Sequence, residues 1–168
     1  MPDVQRRKPW PSTVTIGGGF GLLYEQGTGV GQNAAKAAAL YQKACDGGAT
    51  SGCSGLAGLY IRGLGVVKDA VTAAALFQKA CDGGDMQACS NLGAYYQSTG
   101  QGTGMVQNAA KAAALFQRAC DGGEMNGCSN LGVFYEQGTG GTRDAAKAAA
   151  FYRKACDGGL GQACAKAR

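Results

Sequence analysis

Eight cysteines form four pairs: Cys45 with Cys53, Cys81 with Cys89, Cys120 with Cys128, and Cys156 with Cys164, each eight positions apart. Paired thiols can ligate metal, relay electrons or close disulfides. The chain has no histidine, which excludes a Ser-His-Asp triad, a Cys-His nucleophile, a His-ligated zinc and an axial haem histidine. A zinc site needs four ligands at one point, whereas successive pairs here are separated by a whole period. No Cys-x-x-Cys occurs, and that is the usual reactive motif. Buried free cysteines would pack as small hydrophobes, which accounts for one column of cysteines but not for two that always occur together. Disulfides remain. Each pair flanks an Asp-Gly-Gly turn, with one cysteine ending a helix and the other opening the next, so the two face each other across an antiparallel hairpin. The sequence therefore predicts four disulfides, no metal and no cofactor. Disulfides also point to an oxidising compartment.

The elements that must position these cysteines repeat. Four blocks align, from Ala37 to Gly48, Ala73 to Gly84, Ala112 to Gly123 and Ala148 to Gly159, and their cysteines recur at intervals of 36, 39 and 36 residues. The three extra residues fall around Gln97 to Gly104. A period near 36 is that of a helical-pair solenoid. In each period a B helix starts after Asn33, Asp69, Asn108 or Asp144, whose side chains suit an N-cap. An alanine-rich stretch follows, and Asp-Gly-Gly stops it. An A helix follows, closed by Gly27-Thr28-Gly29, Gly63-Leu64-Gly65, Gly102-Thr103-Gly104 or Gly138-Thr139-Gly140. Leu56, Leu59, Tyr60, Leu131, Phe134 and Tyr135 fall at helical spacing in the A helices, and Ala39, Leu40, Ala44, Ala75, Leu76 and Ala80 in the B helices. Gly58, Gly93 and Gly132 inside A helices cost about 1 kcal/mol each relative to Ala, which predicts a neighbouring backbone packed against them. The expected architecture is all-α: a right-handed α/α solenoid over 17–168, with about four helix pairs and a short C-terminal helix. Residues 1–16 read as an irregular lead-in holding all three prolines.

Thirty glycines and thirty alanines in 168 residues fit a simple unit used repeatedly. The formal charge is +5, partly from Arg6, Arg7 and Lys8. No concentrated basic face emerges, so nucleic acid is not an expected partner. No stretch approaches the ~20 apolar residues of a membrane span, and no export signal follows the basic N-terminal cluster. The cysteines favour a periplasmic or secreted protein whose start lies upstream, and the missing signal favours the cytoplasm.

Leu131 to Gly140 and Lys147 to Ala155 carry the pattern Leu-Gly-x-x-Tyr-x-x-Gly-x-Gly followed by Lys-Ala-x-x-x-(Tyr/Phe)-x-(Lys/Arg)-Ala. This resembles the Sel1-like repeats, a branch of the tetratricopeptide-like arrays. Ala-Cys-Asp-Gly-Gly-x-x-x-x-Cys is similar to the cysteine-rich, disulfide-bridged Hcp type, the Helicobacter cysteine-rich proteins. The resemblance covers about 17–168. It departs at Gly17, which stands where Cys53, Cys89 and Cys128 stand, and at Cys164, whose helix stops at Arg168. Solenoids need polar caps, so these departures point either to a truncated or misassigned gene model or to self-association of copies through uncapped ends.

The resemblance implies a non-catalytic scaffold or adaptor that takes a protein or peptide in a concave groove. Candidate groove residues are Asn91, Asn130, Tyr60, Tyr96 and Tyr135. Paired amide hydrogen bonds from Asn suit a peptide backbone, or else serve neighbouring groups of the fold. Lys36, Lys111 and Lys147 read as a solvated face. Two other readings follow from the resemblance. One is penicillin binding with β-lactamase activity. However, Ser12, Ser51, Ser54, Ser90, Ser98 and Ser129 all lack Lys at +3, and Lys-Thr-Gly is absent. The other is a mitochondrial-type respiratory assembly factor handling haem, which without histidine would need Met or Cys ligation; Met86 and Met125 share a column but fall in the turn region.

Overall fold

The computed structural model describes residues 13–98 and 108–167, with side chains from Gly19 onward. The described residues are helical, without strands, in the order α1 (Thr13–Gln26), α2 (Ala34–Asp46), α3 (Thr50–Arg62), α4 (Ala70–Asp82), α5 (Met86–Ser98), α6 (Ala109–Asp121), α7 (Met125–Gln137), α8 (Ala145–Asp157) and α9 (Gly161–Cys164). Odd-numbered helices are the A helices and even-numbered ones the B helices, giving a solenoid of four α/α pairs and a short ninth helix. Helix α1 begins at Thr13, so the lead-in placed over 1–16 is too long by four residues. The loop of the three extra residues, with Gly102-Thr103-Gly104, lies outside the described residues. None of the described helices is long and apolar enough to cross a membrane.

The B helices start as their caps dictate. Asn33, Asn108 and Asp144 side chains accept from the amides of Lys36, Lys111 and Lys147, and Asp69 accepts from Val71 and Thr72. These bonds satisfy amides that the first helical turn leaves without partners. At the other end the two glycines of Asp-Gly-Gly have different reasons. The second takes positive φ, +88, +97, +89 and +97° at Gly48, Gly84, Gly123 and Gly159. There a side chain would be strained. The first stays near φ −77°, but a Cβ on it would overlap the residue that opens the A helix one repeat earlier: Thr50 at Gly83, Met86 at Gly122, Met125 at Gly158. Met86 and Met125 are therefore the first residues of α5 and α7, packed between repeats, rather than turn residues.

The buried face of the B helices is one register away from the Ala39–Leu40 stripe. Ala37, Ala38, Tyr41, Ala44 and Cys45 are buried in α2, and Ala73, Ala74, Phe77, Ala80 and Cys81 in α4, while Ala39 and Ala75 are exposed. The aromatic knob decides the rotation of the helix. Tyr41, Phe77, Phe116 and Tyr152 are 0–4% exposed, and burying a ring removes far more apolar area than burying a methyl. Gly93 and Gly132 serve these rings first, whereas the close backbone approach falls at Gly52 and Gly127, beside the Cys45 and Cys120 nitrogens. A Cβ at Gly93 would lie 2.7 Å from the Phe116 ring, and one at Gly132 2.6 Å from the Tyr152 ring. Gly58 belongs to a different column. Ala57 is the buried residue that aligns with Gly93, and Gly58 has only the Arg62 Nη2, 3.7 Å away, near its missing side chain.

Candidate functional site

Each cysteine pair is bonded, with Cα atoms 4.6, 4.7, 4.6 and 4.8 Å apart in chain order. The first cysteine lies in the last turn of a B helix and the second at the start of the following A helix. Each bond thus closes the Asp-Gly-Gly hairpin and crosses from one helix pair to the next. Six of the eight cysteines are at most 2% exposed.

Other recurrences were not legible in the sequence. The amides of Asn33, Asp69, Asn108 and Asp144 donate to the carbonyls of Tyr24, Tyr60, Tyr96 and Tyr135, at 2.8, 3.1, 3.1 and 3.0 Å. One tyrosine column thus latches every described end of the A-to-B loops. Lys36, Lys111 and Lys147 are not simply solvated. Their ammonium groups lie 5.2–5.4 Å from the ring centres of Tyr24, Tyr96 and Tyr135, within cation–π range. Thr72 stands in the lysine column at the second repeat.

These recurring contacts, period by period, are those of one repeat family. Residues 18–48, 50–85, 87–124 and 126–160 each match the Sel1 repeat model. The chain is a Sel1 repeat protein. Its Cys45–Cys53, Cys81–Cys89 and Cys120–Cys128 bonds join consecutive Sel1 repeats, and Cys156–Cys164 joins the fourth to α9. The Sel1 array superposes on a Sel1 repeat protein from Oxalobacter formigenes with a TM-score of 0.78 and 29% identity, covering 89% of this chain and 60% of that one. It superposes on a protective antigen of uropathogenic Escherichia coli with an SLR fold at 0.82 and 27%, covering 92% and 32%. The Sel1 array therefore spans less than two thirds of either protein. It also matches Helicobacter pylori cysteine-rich protein B at 0.58 and 27%, covering 77% of this chain and 91% of that one, and its four disulfides fit that cysteine-rich type. Among curated proteins none is significantly similar to the chain.

The five groove candidates do not converge. A helices of neighbouring repeats pack together at α1 with α3 and at α5 with α7, but α3 and α5 do not approach to that extent. Between them lies a cleft of about 390 Å³, lined by Gly58, Ile61, Arg62, Phe77, Asn91, Ala94 and Tyr95. Asn91 is in this cleft. Asn130 is one repeat on, and its Nδ2 donates to the hydroxyl of buried Ser90, 3.2 Å away, which ties α7 to α5. Tyr135 lines a different cleft, of about 550 Å³, with Lys147 and the first turns of α6. Tyr60 and Tyr96 pack, half-buried, against the core. The residue that sequence reasoning missed is Tyr95, whose ring centre is 6.4 Å from that of Phe77. Its only signal was a phenol hydroxyl in a column otherwise holding the apolar Leu59 and Phe134.

Two polar triads mark the first and fourth repeats. The Tyr41 hydroxyl donates to Glu25 at 2.7 Å, and Arg62 pairs with the same carboxylate. Burial, with the Glu25 hydrogen bond next, raises the Tyr41 pKa well above the ordinary phenol value. The Tyr152 hydroxyl donates to Glu136 at 2.6 Å, and Lys166 donates to that carboxylate at 3.1 Å. The Tyr152 hydrogen bond, then that of Lys166, lowers the Glu136 pKa. Lys166 holds the column of Gly55, Asn91 and Asn130, and lies 5.2 Å from the Tyr152 ring centre. The middle repeats carry Phe77 and Phe116 at the tyrosine position.

Ser54 and Ser90 are engaged within the fold. Ser54 donates to Asp85 at 2.6 Å, and Asp85 in turn accepts from the Ala88 amide at the start of α5. A serine hydrolase needs a hydroxyl hydrogen-bonded to a base. Asp85 caps a helix instead, and Ser90 accepts from Asn130. Nitrocefin turnover by the pure protein is expected to equal that of buffer. Hydrolysis abolished by Ser54→Ala would overturn this assignment.

Proposed function

We propose that the Sel1 array is a non-catalytic scaffold that binds protein or peptide segments on its A-helix layer, in an oxidising compartment outside the cytoplasm. The observation that carries this reading is the cleft between α3 and α5, where Asn91 stands beside apolar walls. A small number of placed polar groups in an apolar concavity is the usual form of a recognition site. The Asn91 side-chain amide offers both a donor and an acceptor, which matches the alternating groups of an extended backbone. The Sel1 fold supports the reading, and the buried inter-repeat disulfides support the compartment. The test is selection of linear peptides from a random display library on the immobilised, oxidised protein. Enriched peptides are expected to lose at least tenfold in affinity for Asn91→Ala and to bind Lys154→Ala, at the opposite helix ends, as they bind the wild type. Failure to enrich any peptide, or equal binding to both variants, would sink the scaffold reading.

A further inference from the structure

Gly58 is a helix-interior glycine without a packing reason. Glycine costs a helix about 1 kcal/mol relative to Ala; Gly55, Gly93 and Gly132 offset that through a ring seated on them, and Gly52 and Gly127 through close approach of the preceding B helix. At Gly58 neither is present. Its column holds Ala94 and Val133 in the next repeats, and Ala94 is exposed. Gly58 and Ala94 therefore put two small residues on the walls of the α3/α5 cleft, which the rings of Phe77 and Tyr95 also line.

Arg62 completes the cleft. Its Nε donates to the Gly58 carbonyl at 3.0 Å, and its Nη2 is held by Glu25. The guanidinium is thus fixed at the rim, its charge already balanced. What it offers a ligand is a flat cationic surface more than a free pair of donors. Two rings tilted at 53° to one another and a fixed guanidinium form a cage for a third ring, through edge-to-face and cation–π contacts. A volume of about 390 Å³ is at the small end for ligand sites. It suits one large side chain and is too small for a folded partner's surface.

We infer that the α3/α5 cleft is an anchor pocket for a single aromatic side chain of an extended peptide, and that the absent side chain of Gly58 sets this specificity. The inference rests on the scaffold reading but is tested without a selected peptide. N-acetyl-phenylalanine amide and N-acetyl-alanine amide are titrated into methyl-labelled protein, and the Ile61 and Ala94 methyl resonances are followed. The phenylalanine compound should give saturable shifts, with the alanine compound at least tenfold weaker. Gly58→Leu, which fills the cleft, should abolish those shifts. Gly58→Ala should weaken them while raising the melting temperature, because the added methyl meets only the Arg62 Nη2 at an ordinary contact distance of 3.7 Å. The Gly58→Ala variant separates blocking from misfolding. Absent shifts in the wild type, or equal shifts in a folded Gly58→Leu protein, would overturn the pocket. Library peptides that depend on Asn91 but bind Gly58→Leu unchanged would keep the scaffold and remove the anchor.

Discussion

Full reduction of the four disulfides is expected to leave the array largely unfolded at physiological temperature. Each bond closes a ring of nine residues, which stabilises by roughly 2–3 kcal/mol on the chain-entropy account. Four such bonds amount to about 10 kcal/mol, comparable with the 5–15 kcal/mol that holds a typical domain together. Their placement raises the effect. The stability of a solenoid is a sum of repeat terms and nearest-neighbour interfaces, and three of these bonds cross repeat boundaries while the fourth crosses to α9. Helical circular dichroism against temperature, with and without a phosphine reductant, measures this. Intact mass after alkylation reports how many thiols are free. A graded version removes one bond. Cys81→Ala with Cys89→Ala should cost about 2–3 kcal/mol, or ~5–10 °C for a chain of this size. Alanine avoids placing a hydroxyl where both cysteines are 0% exposed. Superimposable melts with all eight thiols alkylated would show that packing alone holds the array. Alkylation of protein taken from its native compartment without reductant also tests the exported setting.

Gly65→Ala is the second large effect. The glycine has φ +70°, and the left-handed region costs a side-chain-bearing residue about 1–2 kcal/mol. Sterics add to this. A Cβ on Gly65 would overlap the Ala34 carbonyl group and stand 2.5 Å from the Ala35 nitrogen. Because the atoms it meets are backbone in the first turn of α2, no rotamer change relieves the clash. The loss is expected at about 3 kcal/mol or more. Gly29→Ala is the control. It has φ +72° at the same column, with nothing within 4 Å of its Cβ, and should show the conformational cost alone. Denaturant midpoints of the two variants separate the terms. Equal losses would show that the contact between the α3–α4 loop and α2 contributes nothing.

Much of the fold was legible because it rests on local rules that repeat. Asn and Asp at the B-helix starts announce their caps through a side-chain oxygen three residues from the amide it accepts. The paired cysteines announce hairpins because eight residues with an Asp-Gly-Gly turn between them leave one antiparallel geometry. Repetition four times strengthens each of these signals. Readings that turned on rotation or register were not local, and there the sequence misled. Alanine is so abundant in the B helices that several stripes look equally apolar, and only the ring at Tyr41, Phe77, Phe116 and Tyr152 selects one. Gly58 looks like Gly93 and Gly132, yet aligns one position off and has no ring against it.

The candidate site lay beyond the sequence for the same reason. Its walls come from two repeats, through Gly58, Ile61 and Arg62 on α3 and Asn91, Ala94 and Tyr95 on α5. What makes them a cleft is that these two helices stand apart while α1 and α3, and α5 and α7, close up. Residue types and spacing determined the helix pairs, their ends and the covalent staples between repeats, because each depends on residues a turn or two away. Only the tertiary structure decided where the A layer opens, because that spacing is fixed by side chains about 36 residues apart packing against one another.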